Sequence, residues 1–193
     1  MSDYKFNTSC IHAGYKAESG QPQVLPIVQN TTYRYYNAED VAKLFDLESA
    51  DFMYSRLGSP TVNALEEKMA ALEGGTAGIA TSAGQAANLI TMLNICEAGD
   101  HIIACGNIYG GTFNLFGVTL KKMGIETTFI DYNLSAEEII ALAKPNTKAI
   151  FGESLGNPAL TVLDIEKFAE AAKTIGVPLV IDNTLASPYL CRP

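Results

Sequence analysis

Short apolar runs recur along the second half of this chain at intervals that predict a repeated strand-and-helix pattern. Four runs of five or six residues predict buried strands: HIIAC (101–105), IETTFI (125–130), KAIFGE (148–153) and VPLVID (177–182). GIAT (78–81) predicts a shorter strand before them. Since crossovers between these runs are long enough to hold helices, the pattern predicts a largely parallel sheet covered by helices on both faces.

Apolar residues spaced three or four apart predict the intervening helices. Ser59 and Pro60 predict the start of one helix and Gly74 its end, while Ser135 with Glu138 forms a capping box and Asp164 caps a later helix. The residues expected to face inward are Val62, Leu65, Met69 and Leu72; Ala86, Leu89, Ile90 and Leu93; Phe113, Phe116, Leu120 and Met123; and Ile165, Phe168, Ala169, Ala172 and Ile175.

The first part of the chain has a weaker pattern. Residues 1–36 show little periodicity, so we expect an extended arm that lies across another surface. A short helix over 38–47, capped by Asn37, would bury Val41, Leu44 and Phe45. We therefore expect an N-terminal arm with a short helix at 1–50 and the large domain at 51–193.

Composition narrows the functional classes. The 193 residues are 48% hydrophobic and 18% charged, which is typical of a globular chain, and the net charge of −8 without a basic cluster argues against nucleic acid as a partner. The sequence shows neither a signal pattern nor a membrane-length apolar run, so we expect a cytoplasmic protein. The four cysteines show no CxxC spacing, so we expect them to be reduced thiols. Since the two histidines also lie in no metal-ligand spacing, we expect no metal site.

Polar residues follow the predicted strands, where ligands bind in open α/β sheets. SAGQ (82–85) follows GIAT, Tyr109 follows HIIAC, Glu153 and Asn157 follow KAIFGE, and Asp182 ends VPLVID. Asp182 and the following Asn183 could equally make an ordinary turn.

Two segments could hold an anion. In SAGQ, Gly84 would open a helix whose free N–H groups bind phosphate, although any loop that starts a helix looks the same. In YSRLGSP, Tyr54 and Arg56 would point to the same side of an extended segment, where a phenol and a guanidinium could together bind a phosphate. The alternative interpretation is a surface arginine beside a packed tyrosine, with no bound anion. Neither GxGxxG nor GxxxxGK[ST] occurs, which disfavours dinucleotide and nucleoside-triphosphate sites.

Five motifs taken together resemble one family. YSRLGSPT, SAGQAA, IYGGTFNLF, ESLGNP and VIDNT, in this order, are similar to the motifs of the Cys/Met-metabolism enzymes that use pyridoxal 5′-phosphate (PLP). The resemblance runs from about residue 8 to Pro193, and HAGY and YGGTFNLF are most similar to the O-acetylhomoserine sulfhydrylases. It implies the large domain of a type I aminotransferase-like fold, with a seven-stranded-type sheet that is incomplete here. It also implies a homotetramer with active sites shared between subunits.

The resemblance assigns roles to particular residues. Asp182 would pair with the ring nitrogen of PLP, Tyr109 would stack on the ring and move protons, and Asn157 would lie near the ring hydroxyl. Tyr54 and Arg56 would reach the phosphate of the neighbouring subunit. The implied catalytic residues are Tyr54, Tyr109 and Asp182, and the implied cofactor-binding residues are Tyr54, Arg56, Ser82, Gly84, Gln85, Tyr109, Asn157, Asp182 and Thr184, with Glu153 carried over more weakly.

The implied activity is γ-replacement on O-acetyl-L-homoserine by sulfide or a thiol, giving homocysteine or methionine and acetate. Methionine γ-lyase and cystathionine γ-synthase or γ-lyase are alternatives within the family, and Gly111 stands where methionine γ-lyases tend to have cysteine. The family's cofactor-bearing lysine would lie shortly after Pro193, so we expect the chain to be a piece of a longer enzyme. A catalytically inactive chain that only completes a partner's site is the alternative of another class.

Overall fold

A computed structural model of the protein describes residues 4–193. The chain divides into two compact units: the first runs through Ala80, and the second is Thr81–Pro193. The boundary expected at residue 50 therefore lies within the first unit. No helix among residues 4–193 combines the length and the apolar character needed to cross a membrane.

The described part of the first unit, from residue 4 to Ala80, contains three helices, α1 (Phe6–His12), α2 (Ala38–Phe45) and α3 (Pro60–Glu73). The expected extended arm is thus partly helical. The side chain of Asn37 caps α2 by accepting a hydrogen bond from the N–H of Asp40. Leu44 is buried as expected, but Phe45 is 69% exposed, so its predicted burial is wrong.

Helices α1 and α3 pack through a close backbone approach at Gly14. This residue has a φ of +83°, and a Cβ there would lie 2.0 Å from the carbonyl oxygen of Ala64. Only glycine meets both constraints. The expected inward face of α3 is wrong in most of its positions: Val62, Leu65 and Met69 are exposed and only Leu72 is buried, because α3 presents Ala64 and Lys68 to α1.

The second unit is built on a four-stranded parallel sheet in the order β2-β1-β3-β4. The strands are β1 (His101–Cys105), β2 (Glu126–Ile130), β3 (Thr147–Glu153) and β4 (Leu179–Asp182). The helices are α4 (Gly84–Ile95), α5 (Gly110–Asn114), α6 (Ala136–Ala141), α7 (Ile165–Ile175) and α8 (Ser187–Leu190), with a π-helical segment at Leu115–Leu120 after α5. The parallel α/β architecture predicted from the sequence is confirmed.

One predicted strand does not form. Residues 78–81 (GIAT) have no ladder partner among the described residues, and Ile79 is 87% exposed. The N–H of Ala80 instead donates a 2.7 Å hydrogen bond to a carboxylate oxygen of Glu66. An apolar run alone does not make a strand, since each strand needs a neighbour to pair with its backbone groups.

The core of the second unit lies along β1 and β3. Every residue of β1 is buried, and the rings of Phe116 and Phe151 meet edge to face with centroids 4.8 Å apart. The capping box of Ser135 and Glu138 is present as predicted. Several expected inward positions are wrong: Ile90, Leu93, Phe113, Met123 and Ala169 are exposed, while Met92 and Ala171 are buried.

Candidate active site

A cavity of about 330 Å³ opens at the carboxyl ends of β3 and β4, beside the loop that follows β1 and the start of α4. This is the position at which parallel α/β sheets bind ligands, because the loops after the strands leave a crevice there. The residues that line it all belong to the second unit and are Ala83, Gly84, Gln85, Asn88, Tyr109, Glu153, Leu155, Asn157, Asp182, Thr184 and Leu185.

The N-terminus of α4 forms one wall of the cavity. Ala83 is the N-cap in an extended conformation and supplies no side-chain cap. The first N–H groups of the helix therefore lack intrahelical partners and, with the helix dipole, favour an anion. A Cβ at Gly84 would meet no atom within 4 Å, so the approach to these N–H groups is open. This wall can accept a phosphate.

Asp182, at the end of β4, presents a carboxylate whose two oxygens face different partners. Its Oδ1 accepts hydrogen bonds from the N–H of Thr184 at 3.1 Å and from the Thr184 hydroxyl. Its Oδ2 lies 3.5 Å from Nδ2 of Asn88, at the outer limit for a hydrogen bond. The turn at Thr184 thus holds Oδ1, and Oδ2 remains able to pair with a ligand cation.

Thr112 joins α4 to α5 next to the cavity. Its side chain is fully buried, and its hydroxyl oxygen accepts from Nε2 of Gln85 at 2.9 Å and from Nδ2 of Asn88 at 3.2 Å. Because two side chains of α4 meet one residue of α5, these hydrogen bonds tie the start of α4 to the helix that follows the Tyr109 loop.

Glu153, at the end of β3, binds the backbone of two loops. One carboxylate oxygen accepts from the N–H of Tyr109 at 2.8 Å and the other from the N–H of Asn157 at 3.2 Å. The side chain is buried, and burial raises the pKa of its carboxyl group. The charge of Asp182 raises this pKa further, whereas the two backbone hydrogen bonds lower it.

The ring of Tyr109 is about half exposed and forms another wall of the cavity. It lies against Gly111, where an added Cβ would come within 2.4 Å of the ring carbon Cε1. Gly111 therefore leaves the space that this ring occupies. A flat ligand could stack on the open part of the ring.

Tyr54 and Arg56 belong to the first unit. Thr32 and Tyr54 form an isolated antiparallel bridge, after which the chain turns. The N–H groups of Leu57 and Gly58 both donate to the carbonyl oxygen of Tyr54 and so form a turn. The prediction that Tyr54 and Arg56 lie in an extended segment is therefore wrong. The turn places the guanidinium of Arg56 over the ring of Tyr54, 4.9 Å from its centroid.

The structure brings most of the predicted site residues of the second unit together, namely Gly84, Gln85, Tyr109, Asn157, Asp182 and Thr184. Ser82 does not line the cavity. Sequence reasoning missed Asn88, Leu155 and Leu185. Asn88 lies one helical turn after Gly84 on the same face of α4, and this spacing was the signal that could have identified it. No lysine or arginine is among the lining residues.

Comparisons with known proteins identify the family to which the chain is similar. A sequence model of the Cys/Met metabolism PLP-dependent enzymes matches residues 7–193. O-acetyl-L-homoserine sulfhydrylase 1 of Thermus thermophilus is 44% identical over 191 residues, which are 98% of this chain and 45% of that protein. The O-acetyl-L-homoserine sulfhydrylase of Corynebacterium glutamicum is 45% identical over 97% of this chain and 43% of its own length. The chain thus spans less than half the length of these relatives.

Solved structures share the fold. A Campylobacter jejuni protein crystallised with N′-pyridoxyl-lysine-5′-monophosphate superposes with a TM-score of 0.94 at 36% identity, over 99% of this chain and 47% of that one. Cystathionine gamma-lyase from Lactobacillus plantarum, complexed with L-serine, gives a TM-score of 0.87 at 36% identity, over 98% of this chain and 47% of that one.

Proposed function

This chain belongs to the Cys/Met-metabolism family of PLP-dependent enzymes, and on that basis we propose that the whole protein carries out γ-replacement on O-acetyl-L-homoserine. Sulfide or a thiol would replace the acetate group, giving homocysteine or methionine. The observation that carries the proposal is the convergence of an uncapped helix N-terminus, a half-exposed tyrosine ring and a partly free carboxylate on one cavity. Relatives named for this activity support the choice of substrate.

The residues around the cavity fit PLP, which joins an anionic phosphate to a flat ring with a basic nitrogen. The open approach at Gly84 suits the phosphate, and Oδ2 of Asp182 suits a protonated ring nitrogen. Gln85, Asn157 and Thr184 complete the proposed cofactor contacts. When bound, PLP withdraws electrons from the bonds of the substrate carbon that carries the amino group.

Each side chain would have a distinct part in this chemistry. Asp182 would keep a proton on the ring nitrogen, because an ionised carboxylate beside a base favours the base's charged form. The ring of Tyr109 would cover one face of the cofactor and exclude water from it. Its hydroxyl would take up or return a proton at the substrate, which makes Tyr109 the proposed acid–base residue together with Tyr54.

We propose further that two subunits complete each site. PLP and an amino acid substrate both bring negative charge, yet the lining residues include two carboxylates and no lysine or arginine. Arg56 with Tyr54 would supply a cation and a phenol from a neighbouring copy of the chain. We propose a homotetramer, which the family resemblance implies, and a cytoplasmic location, which suits the metabolic enzymes that the relatives are named as.

The competing activity within the family is lysis, in which water takes the place of the sulfur nucleophile. Gly111 favours replacement, since methionine γ-lyases tend to have cysteine there. Cystathionine γ-synthase or γ-lyase activity is another alternative, to which the structural similarity of the Lactobacillus plantarum enzyme lends support.

The test is acetate release by the full-length protein from O-acetylhomoserine, measured with and without sulfide. We expect faster release with sulfide and homocysteine as the product. Rapid formation of 2-oxobutanoate from methionine, with no dependence on sulfide, would assign a lyase instead.

A further inference from the structure

Glu153 is a buried carboxylate whose two oxygens bind two different loops. Its Oε1 accepts from the N–H of Tyr109, in the loop after β1, and its Oε2 accepts from the N–H of Asn157, in the loop after β3. Only 7% of the residue is exposed. Among the described residues Glu153 has no salt bridge, so the hydrogen bonds from these two N–H groups offset the cost of removing its carboxylate from water.

This geometry selects a carboxylate over an amide of the same size. A glutamine side chain has one acceptor oxygen and one NH₂ group, so one of the two backbone N–H groups would face another donor. An ionised carboxylate accepts at both oxygens, and its hydrogen bonds are stronger than neutral ones. The pairing therefore depends on the charge of Glu153 as well as on its length.

Both bonded residues line the cavity. Tyr109 is the N-cap of α5, so its N–H lies outside the hydrogen-bonding ladder of that helix. Losing Glu153 would leave this N–H unpaired and free the loop that carries the tyrosine ring. Asn157 would lose the same type of restraint on the opposite side of Glu153.

From this we infer that Glu153 is a positioning residue, which fixes the backbone of Tyr109 and Asn157 in the wall of the cavity that would hold the cofactor. The inference rests on the proposed function for what occupies the cavity, but the restraint on the two loops stands on the geometry alone. Glu153 would act through these residues and would not touch the substrate.

The experiment compares full-length wild-type protein with Glu153→Gln, using Glu170→Gln as the control. Glu170 lies on the exposed face of α7, so its replacement removes one charge without touching the loops. The first measurement is amide hydrogen exchange at Tyr109 and Asn157 in cofactor-free protein. We expect protection of both amides in the wild type and roughly tenfold or faster exchange in Glu153→Gln, with the control unchanged.

The second measurement is visible circular dichroism of protein saturated with PLP, per mole of bound cofactor. We expect Glu153→Gln to bind PLP but to give a clearly altered signal, because the ring of Tyr109 no longer has a fixed position. A role in stability alone would lower the folded fraction and leave the signal of the folded protein unchanged.

The outcomes separate the inference from the proposed function. Wild-type protein that takes up no PLP, but still protects both amides, would remove the proposed function and leave the restraint in place. Unprotected amides at Tyr109 and Asn157 in the wild type would overturn the inference, even if the variant fails to fold. Equal exchange and equal dichroism in wild type and Glu153→Gln would overturn it as well.

Discussion

Glu153 and Asp182 are direct register partners at the carboxyl ends of adjacent parallel strands, β3 and β4. Their surroundings give them different properties. Glu153 is buried with both oxygens bonded to backbone N–H groups, whereas Asp182 is partly exposed and has one oxygen held by Thr184. One carboxylate therefore organises the loops, and its neighbour is available to a ligand.

The close contact between Gly111 and the ring of Tyr109 predicts a selective effect of a single methyl group. Gly111→Ala would put a Cβ within 2.4 Å of the ring, which must move. We expect kcat of the full-length enzyme to fall by roughly tenfold to a hundredfold, because small displacements of reacting groups lower the rate by about this much.

Gly110→Ala is the matched control, since a Cβ at Gly110 meets nothing within 4 Å. It should keep kcat near the wild-type value. Equal losses in the two variants would show that glycine is needed for backbone freedom in this loop and not for the position of the Tyr109 ring.

Thr112, which is fully buried, and Thr127, which is partly buried, predict different effects of the same substitution. Thr112 accepts from Gln85 and Asn88, so Thr112→Val removes the acceptor of Gln85 and leaves Asn88 only its 3.5 Å approach to Asp182. It should lower the free energy of unfolding by about 1–3 kcal/mol. Thr127 has a buried hydroxyl with no partner among the described residues, so Thr127→Val should be neutral or stabilising. Chemical denaturation of both variants tests this, and equal destabilisation would contradict it.

His101 predicts the direction of a pH effect on stability. It is fully buried between the hydroxyls of Thr147 and Thr128, each 2.8 Å from a ring nitrogen. Burial, aided by the charge of Lys144, lowers its pKa, so the folded state resists the proton that the unfolded chain binds below a pH of about 6.5. Stability should therefore fall as the pH drops below this value, by up to about 1.4 kcal/mol per pH unit from this group.

The measurement is the free energy of unfolding between pH 7 and pH 5, with variants of the chain's two histidines. His101→Gln should flatten the dependence on pH, whereas His12→Gln, at an exposed position, should keep the wild-type slope. If the free energy of unfolding depended on pH with the same slope in the wild type and both variants, His101 would not be the cause of the pH dependence.

The proposed sharing of each site between two subunits predicts recovery of activity in mixed dimers. Arg56→Ala and Asp182→Ala should each be nearly inactive alone. In a mixed dimer the Asp182→Ala subunit still offers Arg56 to its partner, whose Asp182 is intact, so one site is complete. With random pairing of equal amounts, activity should return to about a quarter of wild type if the dimer has two-fold symmetry. No recovery after confirmed subunit exchange would place Arg56 in its own chain's site or outside both.

How much of this could be predicted from the sequence depends on which interactions decide each feature. That Asp182, Tyr109 and Asn157 lie at one edge of the sheet follows from strand alternation, which fixes which loops share an edge of a parallel sheet. The prediction of a strand at GIAT (78–81) was wrong because a strand needs a neighbouring strand to pair with, and an apolar run does not show whether one is present. The exposed faces of α3 and α4 were misjudged for a similar reason, since periodicity identifies an apolar stripe and not what covers it.

The finer geometry could not be predicted at all. Glu153 stood at a strand end in the sequence, yet its two backbone partners depend on how the loops at Tyr109 and Asn157 fold over it. The bond from Asn88 to Thr112 joins two helices whose spacing the sequence does not specify.

The central claim is that the cavity holds PLP with Asp182 at its ring nitrogen, and visible absorbance of the purified full-length protein tests it most directly. Asp131→Asn is the matched control, because Asp131 also directly follows a strand but does not line the cavity. We predict yellow wild-type and Asp131→Asn proteins that lose their colour with hydroxylamine, and an Asp182→Asn protein whose visible band is weak or absent after reconstitution with PLP. A colourless wild-type protein that takes up no PLP, or an Asp182→Asn spectrum identical to wild type, would contradict the claim.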